Sequence, residues 1–379
     1  MPRPKIVSIV GTRPEVIKMA PVIMELERRS TEFEHFLVTT SQHREMLISA
    51  LAMFGLKPDF DLDLMQDNQT LGSFASRSLM SLSNLLGDMN PQFILIQGDT
   101  TTVMTAGLAA FYLGIGVGHV EAGLRSFQRN NPFPEEINRR IAGAVADLHF
   151  APTAGARENL LREGVSAKDI FVTGNTIVDA LQAIPPSKEF EASSLSHIDF
   201  KSKRLILVTA HRRENHGPNL RSICAALKGI VSRFEDVEIV YPVHLNPNVR
   251  TLVYSELDQT PRVHLTEPVS YRDLLEIMRR CFLILTDSGG IQEEAVSFHK
   301  PVLVLRNVTE RPEVVEVGAG KVIGTDTENI IDEVSDLLAN TQRYEQMASA
   351  INPFGDGQAA SRIVDILAQQ FRSPNEAMS

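Results

Sequence analysis

Short runs of aliphatic and β-branched residues alternate with helix-patterned segments along almost the whole chain. That alternation is the signature of an α/β protein built on parallel sheets. In the first half the expected strands are Lys5–Val10, His35–Thr39, Phe93–Gln97, Gly116–Val120, Leu148–Ala151 and Ile170–Val172. Helices are expected at Pro14–Arg29, which opens with proline in its first turn, at Leu71–Leu86, and at Pro134–Ala146 with Glu135 and Glu136 in its first turn. The stretch from Ile184 to Lys203 breaks the rhythm with Pro185-Pro186, serines and mixed charge, and reads as a linker. The alternation then restarts with Arg204–Thr209, Val237–Tyr241, Val263–Leu265, Phe282–Thr286, Pro301–Leu305 and Lys321–Ile323. A final helix, Gly357–Phe371, follows the breaker Asn352-Pro353-Phe354-Gly355-Asp356-Gly357. The expected architecture is therefore two doubly wound, Rossmann-like domains facing across a cleft. It comprises residues 1–184, a linker at 185–203, a second domain at 204–356, and a terminal segment at 357–379.

Three stretches at strand ends combine glycine with charge: Gly11-Thr12-Arg13-Pro14-Glu15 with Lys18, His119-Val120-Glu121-Ala122-Gly123-Leu124-Arg125, and Asp287-Ser288-Gly289-Gly290-Ile291-Gln292-Glu293-Glu294. In open parallel sheets ligands bind at this end of the strands. Arg13 has the fork geometry that suits phosphate or carboxylate, although in a solvated first turn it would simply pair with Glu15. Asp99 ends the run Phe93–Gln97 and reads either as a site acid or as a helix N-cap. Glu121 directly follows an apolar run, as a structural ion-pair partner or as an acid/base group. Glu135 and Arg139 stand one helical turn apart. His211, Arg212 and Arg213 concentrate cationic groups after Arg204–Thr209, and His244 repeats the theme one strand later. Ser288, Gly289 and Gly290 open a helix with unobstructed backbone amides, a nest suited to a diphosphate. Glu294 lies a turn further on, where it could take ribose hydroxyls, and Arg311 is a further candidate.

The formal net charge of -10 argues against non-specific nucleic-acid binding, which needs a basic face. It leaves room for an anionic small ligand. The two cysteines, Cys224 and Cys281, lack metal-type spacing and fit a reducing compartment. The first apolar run is too short for a secretory signal, and no stretch approaches a membrane span. The chain is thus expected to be cytoplasmic. No motif for a metal, a Walker loop or a dinucleotide fingerprint is present, so no metal and no cofactor are expected.

Taken together and in order, several motifs resemble the bacterial UDP-N-acetylglucosamine 2-epimerases of the non-hydrolysing type. They are GTRPEVIKMAPV (11–22), SQHREML (41–47), GDTTT (98–102), HVEAGLRS (119–126), PFPEEINRR (132–140), VTGNTIVDAL (172–181), TAHRRENHG (209–217), PVHLNPNV (242–249), TDSGGIQEEA (286–295), KPVLVLRNVTERPE (300–313) and NPFGDG (352–357). The resemblance implies a fold like the GT-B glycosyltransferases, with the sugar nucleotide in the interdomain cleft and the last helix crossing back to the first domain. It implies interconversion of UDP-N-acetylglucosamine and UDP-N-acetylmannosamine through elimination and re-addition of UDP, and a homodimer. By matching position it implies Asp99, Glu121, Glu135 and His211 as catalytic. Arg13, Lys18, Arg139, Ser288, Gly289, Gly290, Glu294 and Arg311 would hold the substrate, and Val269 and Leu274 would flank uracil. Gln42, Glu45, Glu135, Arg212 and His244 match a regulatory UDP-N-acetylglucosamine site. Some members carry a basic residue just before Gln69-Thr70-Leu71, where this chain has Asn68. The rival readings are a hydrolysing epimerase that releases UDP and N-acetylmannosamine, a GT-B glycosyltransferase, and an inactive UDP-sugar sensor.

Overall fold

The computed structural model describes residues 3–41 and 44–372, with positions 44 and 45 described by their backbone alone. Two compact units emerge, Met1–Ile184 joined by Phe354–Ser379, and Pro185–Pro353.

Among the described residues, the first unit holds a parallel sheet of β1 (Lys5–Val10), β2 (Glu34–Thr39), β3 (Phe60–Asp61), β4 (Phe93–Gln97), β5 (Gly116–Val120), β6 (Leu148–Ala151) and β7 (Ile170–Val172). Their order is β3-β2-β1-β4-β5-β6-β7. The chain winds outward from β1 to β3, then returns to pair β4 against the other side of β1, in register Ile6 to Phe93. This reversal opens a crevice at the carboxyl ends of β1 and β4. The short β3 escapes sequence reading because both of its residues are exposed and no apolar run marks it.

The second unit repeats the plan with β8 (Arg204–Thr209), β9 (Val237–Pro242), β10 (Val263–Thr266), β11 (Leu283–Thr286), β12 (Val302–Val304) and β13 (Gly320–Val322), ordered β10-β9-β8-β11-β12-β13. Its reversal lies between β8 and β11, with Ile206 beside Leu283. The stretch 185–203 belongs to this unit and is tied to the helix Tyr271–Arg280. Asp273 accepts the backbone N–H groups of Glu191 and Ala192, both at 2.8 Å, and Glu276 accepts that of Ser187 at 2.9 Å.

Central strands are covered on both faces by helices, so they read as continuous apolar runs. Ile6, Val7, Ile9, Val10, Ile94, Leu95 and Ile96 are wholly buried, as are Leu205 to Val208 and Leu283 to Leu285 within about a percent of their surface. Each such side chain stabilises the fold by about 1.5–3 kcal/mol on transfer from water. The final helix, Ala359–Arg372, buries Ile363, Val364 and Leu367 and packs in the first unit against the helices Arg13–Arg28 and Thr176–Ala183. Asp179 accepts the N–H of Ala360 at 2.9 Å and so satisfies one of that helix's opening donors. No described helix is long and apolar enough to cross a membrane.

Gly123 has φ +90°, and a Cβ there would overlap the backbone carbonyl of Ala156. Gly164 has the same φ with open space around it. Gly123→Ala should therefore cost about 2–4 kcal/mol, a backbone penalty plus overpacking, whereas Gly164→Ala should cost about 1–2 kcal/mol from the backbone alone. Urea unfolding of the two variants checks the ranking.

Candidate functional site

At the crevice of the first unit, β1 runs straight into a turn and a helix. Gly11 fits because a Cβ there would collide with the hydroxyls of Thr40 and Thr102. Glu15, three residues past the N-cap Thr12, turns back into the protein. Its carboxyl accepts the N–H groups of Gly11 and Thr12, the latter at 3.1 Å, and on its other oxygen the hydroxyl of Thr100. Thr100 itself caps the helix Thr101–Tyr112. One buried carboxyl thus ties together two helix starts across the β1–β4 reversal. The solvated Arg13–Glu15 pair is ruled out, because Glu15 is only 2% exposed. Burial is the largest influence on Glu15 and pushes it up to about 7, against the downward pull of Thr100, Gly11 and Thr12 and with a further push from Asp99.

Asp99 is not the cap of the following helix, since Thr100 takes that place. Its carboxylate instead pairs with Arg139, and its carbonyl accepts from Asn138 Nδ2 at 3.0 Å. The turn beneath it is set by Gly98, whose φ is +82° and whose carbonyl lies 2.7 Å from His119 Nε2. A carbonyl can only accept, so the His119 proton sits on Nε2. Burial drives His119 down to about 3, which keeps the ring neutral and this tautomer fixed.

Glu121 is the first residue past β5 and adopts φ +62°, a left-handed backbone that costs a non-glycine residue about 1–2 kcal/mol. The compensation is a full set of donors. Lys18 and Gln97 hold one oxygen each, and Asn175 Nδ2 donates at 3.1 Å to the oxygen that Lys18 also contacts. Arg125, the nearer cation in sequence, goes to Glu163 instead. Three other chain segments therefore converge on one buried carboxylate. Glu135, half-buried, begins the helix Glu135–Val145. The adjacent Glu136 is wholly buried and accepts the N–H groups of Ser126 and Phe127 at 3.0 and 3.2 Å, which anchors the preceding loop.

The second unit places another carboxylate at its own reversal. Asp287, fully buried after β11, accepts the N–H groups of His211 and Arg212 at 2.8 Å and Asn215 Nδ2 at 2.9 Å. It thereby fixes the turn after β8. The His211 ring stacks on His244 with centroids 5.1 Å apart. Burial, its largest influence, lowers His211 against the opposing pull of Asp287, so the ring offers hydrogen bonds as a neutral imidazole. Ser288 is the N-cap of the helix Gly289–Ser297 and makes no side-chain cap bond. Gly289 is buried and Gly290 exposed. Glu294 accepts the Tyr271 hydroxyl at 2.7 Å, Arg311 pairs with Glu293, and Arg212 with Glu310. Val269 and Leu274 are half-buried, on the loop before and within the helix Tyr271–Arg280.

The first unit thus gathers Asp99, Glu121, Lys18 and Arg139 around the ends of β1, β4 and β5. The second gathers His211, Arg212, His244, Ser288, Gly289, Gly290 and Arg311 around the ends of β8 and β11. Gln42 and the side chain of Glu45 lie outside the described residues. Sequence reading missed Gln97, His119, Asn175, Asp287, Glu15 and Tyr271 as organisers. The available signal was polar residues at or beside strand ends, where burial without a partner is costly.

The family model described as UDP-N-acetylglucosamine 2-epimerase matches residues 24–368. A UDP-N-acetylglucosamine 2-epimerase of Bacillus subtilis (strain 168) is 48% identical over 367 residues, covering 97% of this chain and 96% of the relative. The crystal structure of a Neisseria meningitidis UDP-GlcNAc 2-epimerase bound to UDP-GlcNAc superposes with TM-score 0.88 at 42% identity, covering 96% of this chain and 100% of that one. A Methanocaldococcus jannaschii UDP-GlcNAc 2-epimerase in complex with UDP-GlcNAc and UDP gives TM-score 0.78 at 35% identity, covering 96% and 99%.

The Glu15 carboxyl carries a testable pH signature. An acid whose folded value lies above its unfolded value folds with its proton on. Its stabilising contribution is complete below the unfolded value of 4.5 and is lost as pH rises through about 7. Glutamine can accept from the Gly11 and Thr12 amides and donate to Thr100 without ionising. Glu15→Gln should match the wild type near pH 4 and exceed its unfolding free energy by up to about 3 kcal/mol at pH 8. Urea titrations across that range give the comparison, and a constant difference would rule the assignment out.

Proposed function

The chain belongs to the UDP-N-acetylglucosamine 2-epimerase family, and from that premise we propose that it interconverts UDP-N-acetylglucosamine and UDP-N-acetylmannosamine without hydrolysis. The observation that carries this reading is Glu121: a carboxylate held at a strand end, on a strained backbone, by Lys18, Gln97 and Asn175. Strain of this kind persists where the surroundings over-determine it, as at catalytic sites.

The chemical difficulty is the hydrogen on C2. No carbonyl activates that carbon, so its proton is not acidic. As the C1–O bond to UDP loosens, positive charge builds at C1 and the neighbouring C–H becomes acidic. Elimination then breaks C1–O, passes the C2 proton to a base, and forms the C1–C2 double bond of 2-acetamidoglucal. Re-addition returns a proton to C2 on the opposite face while a UDP oxygen rebuilds the bond at C1. The protein has two tasks, to hold charge on departing UDP and to place carboxylates by the ring.

Asp99, Glu121 and Glu135 supply proton transfer and stabilise cationic character at C1. Arg139, paired with Asp99, and Lys18, paired with Glu121, set the positions of two of these acids. The Ser288, Gly289 and Gly290 amides take the diphosphate, at the start of a helix whose dipole favours anions. Neutral His211 and Arg13 donate to the same leaving group. Glu294, oriented by Tyr271, accepts ribose hydroxyls, and Arg311 lies near the nucleotide. Val269 and Leu274 border the uracil. Regulation by UDP-N-acetylglucosamine belongs to the same proposal, because Gln42, Glu45, Glu135, Arg212 and His244 match the family's regulatory positions in sequence. With UDP-N-acetylmannosamine as sole substrate, a lag relieved by added UDP-N-acetylglucosamine is expected. Immediate full activity would remove an obligatory activator.

Incubation with UDP-N-acetylglucosamine in deuterated water, followed by NMR, tests the chemistry. Deuterium at C2 of a UDP-linked epimer is expected, whereas free UDP with N-acetylmannosamine would mark a hydrolysing enzyme. Glu121→Gln should cut turnover by at least about 100-fold while leaving UDP affinity within a few-fold. Near-normal turnover in that variant would remove Glu121 from the reaction.

A further inference from the structure

The helix start at Gly289 is flanked by an ion-pair ladder, Arg212–Glu310–Arg306–Glu214, whose carboxylates have no part in the proposed reaction. Both oxygens of Glu310 face Arg212, at 2.7 and 3.2 Å, and Arg306 reaches the same carboxylate at 3.2 Å. The cluster lies directly against the glycine. A Cβ at position 289 would sit 3.4 Å from Glu310 Oε2, 3.8 Å from Arg212 Nη2 and 3.9 Å from the Arg311 guanidinium carbon.

We propose that Glu310 is a resident counter-charge at this anion site: it occupies the fork of Arg212 and thereby weakens the hold on a nucleoside diphosphate. The inference rests on the reading of Ser288–Gly290 as the diphosphate site.

The charge balance supports it. Arg306 is engaged by Glu214 at 2.5 Å as well as by Glu310, and its side chain is only 4% exposed. Arg311 is engaged by Glu293. Arg212 is the most open of the three arginines, with 28% of its side chain exposed against 4% for Arg306 and 15% for Arg311. A guanidinium fork takes phosphate as readily as carboxylate, so an incoming diphosphate and Glu310 compete for one binding geometry. Burial pushes the Glu310 carboxyl up, but the attraction of Arg212, Arg306 and Arg311 outweighs it and holds the group below the usual carboxylate range. Glu310 is therefore a full anion at neutral pH. It cancels the field of Arg212 next to the helix start, where the ligand's own charge would otherwise be drawn most strongly. For a reaction that must grip UDP through bond cleavage and still release a UDP-linked product, weaker nucleotide binding speeds turnover at the release step.

Calorimetric titration of UDP into the full-length protein tests the inference. Glu310→Gln should bind UDP about tenfold more tightly than the wild type, with a steeper loss of affinity as salt is added. Glu214→Gln removes the same charge from the far end of the ladder and should stay within about twofold of wild type. Adding Arg212→Ala to Glu310→Gln should abolish the gain. Unchanged or weaker UDP binding in Glu310→Gln would mean that Glu310 merely orients Arg212, and would overturn the proposal. So would an equal gain in Glu214→Gln, or a gain that survives the loss of Arg212. Failure of the wild type to bind UDP at all would overturn the diphosphate reading itself, and this inference with it.

Discussion

A strand covered by helices on both faces has no room for charge along its length, so polar chemistry is displaced to its ends. Both units obey this constraint. Ile6–Val10 and Phe93–Gln97 carry buried side chains throughout, and functional groups begin at Gly11 and Gly98, one residue past each strand. The reversal of strand order parts the two turns at that place and leaves space for a ligand. In the second unit the same logic puts His211 after β8 and Ser288 after β11. The location of the candidate groups follows from how the sheets are wound, before any particular residue is considered.

Burying carboxylates at these ends is costly, and the chain meets the cost in three distinct ways. Glu121 is surrounded by a lysine and two carboxamides, which donate to both of its oxygens. Asp287 takes two backbone N–H groups and Asn215, so its charge also organises the turn after β8. Glu15 accepts two backbone N–H groups and a hydroxyl without any cation, and burial leaves it near neutral pH with its proton only loosely committed. Removing a single partner from such a network leaves a buried polar group unpaired, which costs more than the bond itself contributed. Gln97, Asn175 and Asn215 are therefore as necessary to the geometry as the acids they serve.

Most of the fold was legible because strand runs such as Lys5–Val10, Phe93–Gln97 and Gly116–Val120 are apolar, short and bounded by glycine or charge. β3 was not, since Phe60–Asp61 gains its place by pairing with β2 rather than by burial. Glu121 stood out as a carboxylate directly following an apolar run, and Asp99 as one two residues past another. Glu15 did not. A capping-box glutamate on an exposed first turn and one sealed inside the fold look alike in sequence, and only the approach of Thr100, 85 residues away, separates them. Asp287 was similarly hidden, because its partners at positions 211, 212 and 215 lie in a distant turn. The carboxamides serving Glu121 belong to segments brought together only by the sheet.

Helix starts give a further contrast. The helices beginning at Leu71, Thr101, Ala154 and Tyr271 each have a Ser or Thr side chain accepting one of their opening N–H groups. The helix at Gly289 has serine in the same position, yet its hydroxyl makes no such bond. The two glycines that follow add no side chain to cover the opening amides. A self-capped helix start has partly satisfied its own need for an acceptor, whereas this one receives no such bond from its cap residue. An anion of phosphate size suits that demand, and the arginines beside it supply the matching charge. In our proposal Glu310, set against the same glycine, tempers that attraction. On that reading the affinity of this end is a balance between a helix start that favours anions and a carboxylate already in place, and a single substitution at position 310 shifts that balance without altering the amides.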